Sequence, residues 1–162
     1  MNERTTLIGP LLIRLMVGGV FVSEGIQKFL YADKLGAGRF ESIGLPLPDV
    51  MGPVIGATEL VAGALLLIGF ITRPAAIAIF GVMTGAIVTT KIPILLGQGF
   101  LGLEVRELSR YGFWSMAHEM RTDWAMWLGA LFLLLVGPGT RSIDAHRKAK
   151  ARTRTVASKA GA

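Results

Sequence analysis

The chain has 162 residues, a net charge of +6, 52% hydrophobic residues and only 17% charged ones, with a mean hydropathy of +0.56. Soluble domains carry nearer a quarter charged residues, so this composition belongs to the membrane class and argues against a soluble nucleic-acid-binding domain. The lack of cysteine excludes disulfides, thiol catalysis, iron–sulfur ligation and a thiolate metal site within the chain.

Residues 1–6 form a short polar start with Glu3 and Arg4. Residues 7–30 are the first apolar segment, carrying Arg14, Glu24 and Lys28. A signal peptide also begins basic and continues apolar. Here, however, Arg14 interrupts the core and no Ala-x-Ala-like cleavage site follows, so an uncleaved span is expected. Residues 31–51 read as a loop with a short helix around Arg39 to Ile43 and a turn at Gly44-Leu45-Pro46-Leu47-Pro48-Asp49. The second span covers residues 50–71. It is apolar for about 20 residues, the length that crosses a bilayer core, yet it contains Glu59. A charge at that depth costs roughly 3 kcal/mol or more unless it meets a partner in protein or water. Thr72-Arg73-Pro74 reverses the chain, and Pro74 suits the first turn of a third helix over residues 74–96. Lys91 lies near the end of that helix, where Pro93 is placed to kink it.

Residues 97–122 are amphipathic rather than spanning. Glu104, Arg106, Glu107 and Arg110 interleave with Leu101, Leu103, Val105 and Leu108. Tyr111, Phe113 and Trp114 are interfacial types, so the segment is expected along the membrane surface. A fourth span is expected over residues 117–137, stopping at Gly137-Pro138-Gly139. Residues 140–162 make a basic, Ala-rich tail, expected to be frayed or disordered. Arg141, Arg147, Lys148, Lys150, Arg152, Arg154 and Lys159 oppose a single Asp144 there, which places the tail in the cytoplasm. Four spans then put the amino terminus on the same side. The expected architecture is an all-α membrane protein, a four-transmembrane-helix bundle with an interfacial amphipathic segment before the last helix.

The buried charges fall at similar depths. With the cytoplasmic boundary near Gly9, Ile71 and Pro74 and a rise of ~1.5 Å per residue, Glu24 lies ~22 Å up, Lys28 ~28 Å, Glu59 ~18 Å and Lys91 ~26 Å. Arg14, at ~8 Å, is lower, but a long guanidinium can extend toward Glu59. Such a cluster nearly neutralises itself, as a low-dielectric site requires. One reading is structural: paired charges fix helix assembly while Lys28 and Lys91 snorkel outward. The other is a polar cavity, open outward, that binds a small molecule or relays protons. His118, Glu119 and Asp123 lie close together where the fourth helix begins. A hydrogen-bonded helix start accounts for them better than a metal site. Gly52-x-x-x-Gly56 and Gly81-x-x-x-Gly85 permit close helix approach, within the chain rather than between copies. The basic tail reads as a topology and lipid-surface signal, not a nucleic-acid arm.

Four pieces of sequence, in order, carry a resemblance. They are Arg14-Leu15-Met16-Val17-Gly18-Gly19-Val20-Phe21 with Gly25-x-x-Lys28; Phe40-x-x-x-Gly44-Leu45-Pro46-x-Pro48; Glu59-Leu60-x-x-Gly63-x-x-Leu66-x-x-Gly69-x-x-Thr72-Arg73; and Gly137-Pro138-Gly139-x-x-Ser142-x-Asp144. Together they resemble the DoxX family of small four-helix membrane proteins. That resemblance implies a link to respiratory or detoxifying redox systems, as the membrane subunit of a quinone oxidoreductase or as a scaffold for soluble redox enzymes. It carries over Arg14, Lys28 and Glu59 as the polar positions. Where many members have a histidine near the end of the third helix, this chain has Lys91. The expected protein is an inner-membrane redox accessory whose outward-half pocket takes a quinone or similar small molecule. In it Glu59 and Lys28 handle protons and Arg14 keeps Glu59 charged. Electrons would come from a partner protein or substrate, because the chain lacks thiols and an obvious cofactor site. The competing expectation is a non-catalytic scaffold or transport-related protein whose charges only orient helices.

Overall fold

The structure is a computed structural model that describes residues 3–160, with side chains over residues 8–153. The first two residues of the polar start, the last two of the tail, and the side chains of Glu3, Arg4, Arg154 and Lys159 therefore lie outside the described part. The fold is all-α: α1 (Glu3–Leu30), α2 (Ala37–Ser42), α3 (Pro48–Ile68), α4 (Thr72–Ala86), a π-helical turn (Ile87–Lys91), α5 (Ile92–Leu96), α6 (Phe113–Val136) and α7 (Ile143–Ala160). Among the described residues, three stretches are long and apolar enough to cross a membrane: Ile8–Leu30, Pro48–Ile68 and the continuous run Thr72–Leu96. Helix α6 is 24 residues long, but His118, Glu119, Arg121 and Asp123 occupy its first three turns and only its second half is uniformly apolar.

The four long elements pack in a ring, α1 on α3, α3 on α4, α4 on α6 and α6 on α1. Glycine sets the closest of these contacts. A Cβ on Gly18 would fall 2.8 Å from the Gly63 carbonyl oxygen, and one on Gly25 would fall 2.6 Å from the Leu60 amide. The two backbones touch along this seam, which brings the faces carrying Lys28 and Glu59 together. Gly52 and Gly56 serve the same internal packing, against Ala37 and against Lys28 and Phe29. On the opposite side, Trp127 stacks on Trp124 at 5.4 Å, lies 4.7 Å from Phe80 and donates to the Thr84 hydroxyl at 3.0 Å, joining α6 to α4. Val17, Phe21, Leu66, Ile79, Met83, Met126 and Leu133 fill the centre.

Three local features sharpen or change the expectations. The stretch between Gly97 and Gly112 is an irregular strap without a helix of its own. Phe100 and Leu103 bridge, Glu104 N–H donates to Ile43 O and Gly112 N–H to Ile94 O. Its apolar residues (Leu103, Val105) alternate with charged ones at a period of two, which no helix face can collect. Helix α6 accordingly starts at Phe113, before the expected residue 117, because Gly112 at φ +101° ends the strap. The basic tail is helical rather than frayed. Ser142 Oγ accepts from the Ala145 amide at 3.1 Å, a side-chain cap, and Ala, Lys and Arg beyond it are good helix formers.

Candidate functional site

The α1–α3 seam fixes the first half of the site. Lys28 Nζ lies 2.6 Å from Glu59 Oε2 and 3.7 Å from Glu24 Oε2. The Glu59 side chain is 4% exposed, that of Lys28 13% and that of Glu24 48%. The three form a carboxylate–ammonium–carboxylate line from the interior toward the surface. Apart from the Lys28 ammonium, Glu59 Oε2 has no polar partner among the described residues.

Pro93 fixes the second half. It has no amide to donate and its ring crowds the carbonyl of Thr89, one turn back. The helix answers with the widened π turn Ile87–Lys91. The extra residue in that turn points Lys91 at α6, where its Nζ sits 2.9 Å from Asp123 Oδ2. Single π turns of this kind are frequent where a helix carries a function.

Both ion pairs line one cavity of about 450 Å³. Its polar lining includes Glu24, Lys28, Glu59, Lys91 and Asp123, with Arg39 from α2, while Phe21, Phe40, Ile55 and Met126 supply apolar wall. Gly81 and Gly85 also face it, and a Cβ on either would meet nothing within 4 Å. These glycines do not bring helices together. They leave room.

Arg14 stands apart from this cluster. Its Nε donates to Leu66 O at 2.7 Å, one terminal nitrogen to Leu67 O at 2.7 Å, and the other to Pro138 O at 3.1 Å and Arg141 O at 2.8 Å. The expected pairing with Glu59 is therefore replaced. The last carbonyls of α3 have no partners within the helix, and the guanidinium at the same depth supplies them. Its five donors suit a task that an ammonium could not do. Nearby, Asp144 accepts from the amides of Ile71 and Thr72, both at 2.9 Å, and so caps α4. Burial alone would raise its pKa, but those amide bonds, with Lys148 close by, outweigh it and hold the carboxyl below the ordinary carboxylate range.

Of the three acidic and histidine positions at the start of α6, only Asp123 reaches the cavity. Glu119 pairs with Arg106 at 3.4 Å, and the His118 carbonyl accepts from Arg121. Among the described residues no group of three His, Asp or Glu side chains is disposed to hold a metal ion. The residues that sequence reasoning missed are Arg39, Gly81 and Gly85. Arg39 sits on a short helix whose docking depends on a Gly36–Gly52 contact (2.6 Å from a Cβ on Gly52 to the Ala37 amide). No local pattern signals that.

The DoxX family model matches residues 9–92. The chain is 52% identical over 132 residues, 82% of its length, to the uncharacterized membrane protein Rv3486 of Mycobacterium tuberculosis, of which it covers 77%. It is 38% identical over 85 residues, 52% of its length, to the putative oxidoreductase CatD of Bacillus subtilis, of which it covers 61%. No solved structure matches.

Proposed function

Because the chain belongs to the DoxX family of membrane proteins, we propose that it is an inner-membrane accessory or membrane subunit of a quinone-linked redox system, with the cavity as its small-molecule site. One observation carries this reading: charged groups from α1, α3, the π turn and α6 converge on a single space with apolar walls. Ligand sites are mostly apolar, with a few polar groups that fix orientation. A neutral ring with oxygens at opposite edges suits two ion pairs reached through apolar surface. In this reading Lys28 donates to one ligand oxygen while Glu59 takes or returns its proton, with Glu24 as the connection outward. The name of the Bacillus subtilis relative agrees with a redox role. Electrons pass from a partner protein to the bound quinone, and the chain itself holds the ligand and carries no electrons.

In the same reading α6 is the fourth span. It closes the ring between α4 and α1, and its 24 residues reach ~36 Å at 1.5 Å per residue. Both termini then lie on the cytoplasmic side with the basic residues of α7. The alternative is a scaffold in which the ion pairs only hold helices, and the closeness of Lys28 to Glu59 favours it. Titration of the detergent-purified protein with a short-chain quinone separates the two. Saturable binding that is lost in Glu59→Gln and kept in the surface control Glu41→Gln is expected. Unchanged binding in a destabilised Glu59→Gln protein would leave the scaffold.

A further inference from the structure

Helix α7 combines a fixed start with an unbalanced charge. Residues 145–160 contain six Lys and Arg and no acid. The helix's one carboxylate, Asp144, accepts from the amides of Ile71 and Thr72 and has only Lys148 of these cations close by, so it leaves most of them unbalanced. Arg147 and Lys150 stand three residues apart, and Lys148 and Arg152 four apart, spacings at which like charges on a helix repel. The four side chains are exposed. Taken alone, this helix is destabilised by its own charge, so it calls for an anion outside itself.

Its position says which anion. Ile68 ends one span and Thr72 begins the next, so the Asp144 anchor lies at a membrane boundary. The Arg147 guanidinium, 5.2 Å from the centre of the Phe70 ring, fixes the first turn against the same reversal. From Asp144 to Arg152 is only ~12 Å at 1.5 Å per residue. Whatever angle α7 takes, its first cations stay within about a Debye length, ~8–10 Å, of the headgroup layer.

We propose that α7 is a binding surface for anionic phospholipid headgroups, with Arg147, Lys148, Lys150 and Arg152 as the residues that hold them. Each such residue near an anionic surface contributes enough that two suffice for about a tenfold effect or more. The full chain reconstituted in nanodiscs, with and without phosphatidylglycerol in a phosphatidylcholine background, tests this by hydrogen exchange of the amides of residues 145–153. Exchange should slow about tenfold when phosphatidylglycerol is present, and high salt should remove the protection. The variant Arg147→Gln/Lys148→Gln/Lys150→Gln/Arg152→Gln keeps helix propensity. It should exchange alike in both lipids while the amides of α3 and α4 remain protected. Equal exchange of the natural chain in both lipids would overturn the proposal. So would protection that appears in neutral nanodiscs only on adding short duplex DNA, which would assign the surface to nucleic acid instead.

Discussion

At the scale of single residues, two cations of α1 that look alike in the sequence perform different tasks. Arg14 meets four carbonyl oxygens and Lys28 meets carboxylates. Depth is what separates them. Arg14 lies level with the last turn of α3, where carbonyls lack partners, whereas Lys28 lies level with Glu59. Measuring by side-chain reach toward the nearest acid misassigned the guanidinium, although its ~8 Å height already matched Leu66 and Leu67. The Lys28–Glu59 pair follows the logic of charges removed from water. Removing one partner strands the other, at about 3–5 kcal/mol, while removing both together is far less damaging. Lys28→Met alone should therefore lower the unfolding free energy in detergent by about that amount. Lys28→Met/Glu59→Gln should recover most of it. A loss in the double variant equal to the sum of the Lys28→Met and Glu59→Gln losses would mean that the two groups do not depend on each other.

At the scale of elements, the sequence shows helices well and their irregularities poorly. Long apolar runs, with Pro48 and Pro74 in the first turns of α3 and α4, locate α1, α3 and α4 within a few residues, because those signals are local. The π turn is half legible. Pro93 announces a disturbance, but the direction in which the extra residue swings Lys91 depends on Asp123 of α6, which is distant in sequence. The strap from Gly97 to Gly112 and the capped α7 are fixed by contacts with Ile43, Ile94 and Gly69, all distant in sequence. Glu24, Lys28, Glu59 and Lys91 could be gathered by counting rises, yet the space between them could not. That space depends on Gly81 and Gly85, whose spacing suggests close packing and whose surroundings are empty. The distinction is testable. Gly85→Ala should stabilise α4 by about 0.5–1 kcal/mol, the usual gain when a helical glycine becomes alanine. Gly85→Leu should fold as well and, by filling the cavity, abolish the quinone binding proposed above. Were Gly85 a packing contact instead, both would destabilise, Leu the more, in the same thermal unfolding experiment.

At the scale of the whole molecule, the bundle is closed at one end and hollow at the other. Arg14 and Lys28 mark those ends on a single helix, ~21 Å apart at 1.5 Å per residue. The closed end joins the α3–α4 reversal to the start of α7. Ile71 adopts φ +42° there, a conformation a β-branched residue takes only under constraint, at a typical cost of about 1–3 kcal/mol. Asp144 holds it by accepting the Ile71 amide and the neighbouring Thr72 amide, while its own amide donates to Gly69 O at 3.0 Å. The strained turn and the capped tail therefore rise and fall together. Asp144→Asn should lower stability at neutral pH by about 1–2 kcal/mol, the scale of losing a charge-assisted bond at a half-buried site. The sign of the pH dependence follows from the depressed carboxyl pKa. The unfolded group titrates near 3.9, and the folded one below that. The natural chain thus has the full contribution above about pH 5 and loses it as pH falls through the unfolded and then the folded value. Unfolding midpoints of the two proteins should differ at neutral pH and converge in acid. A gap that persisted at low pH would assign the effect to the shape of the side chain and not to its charge.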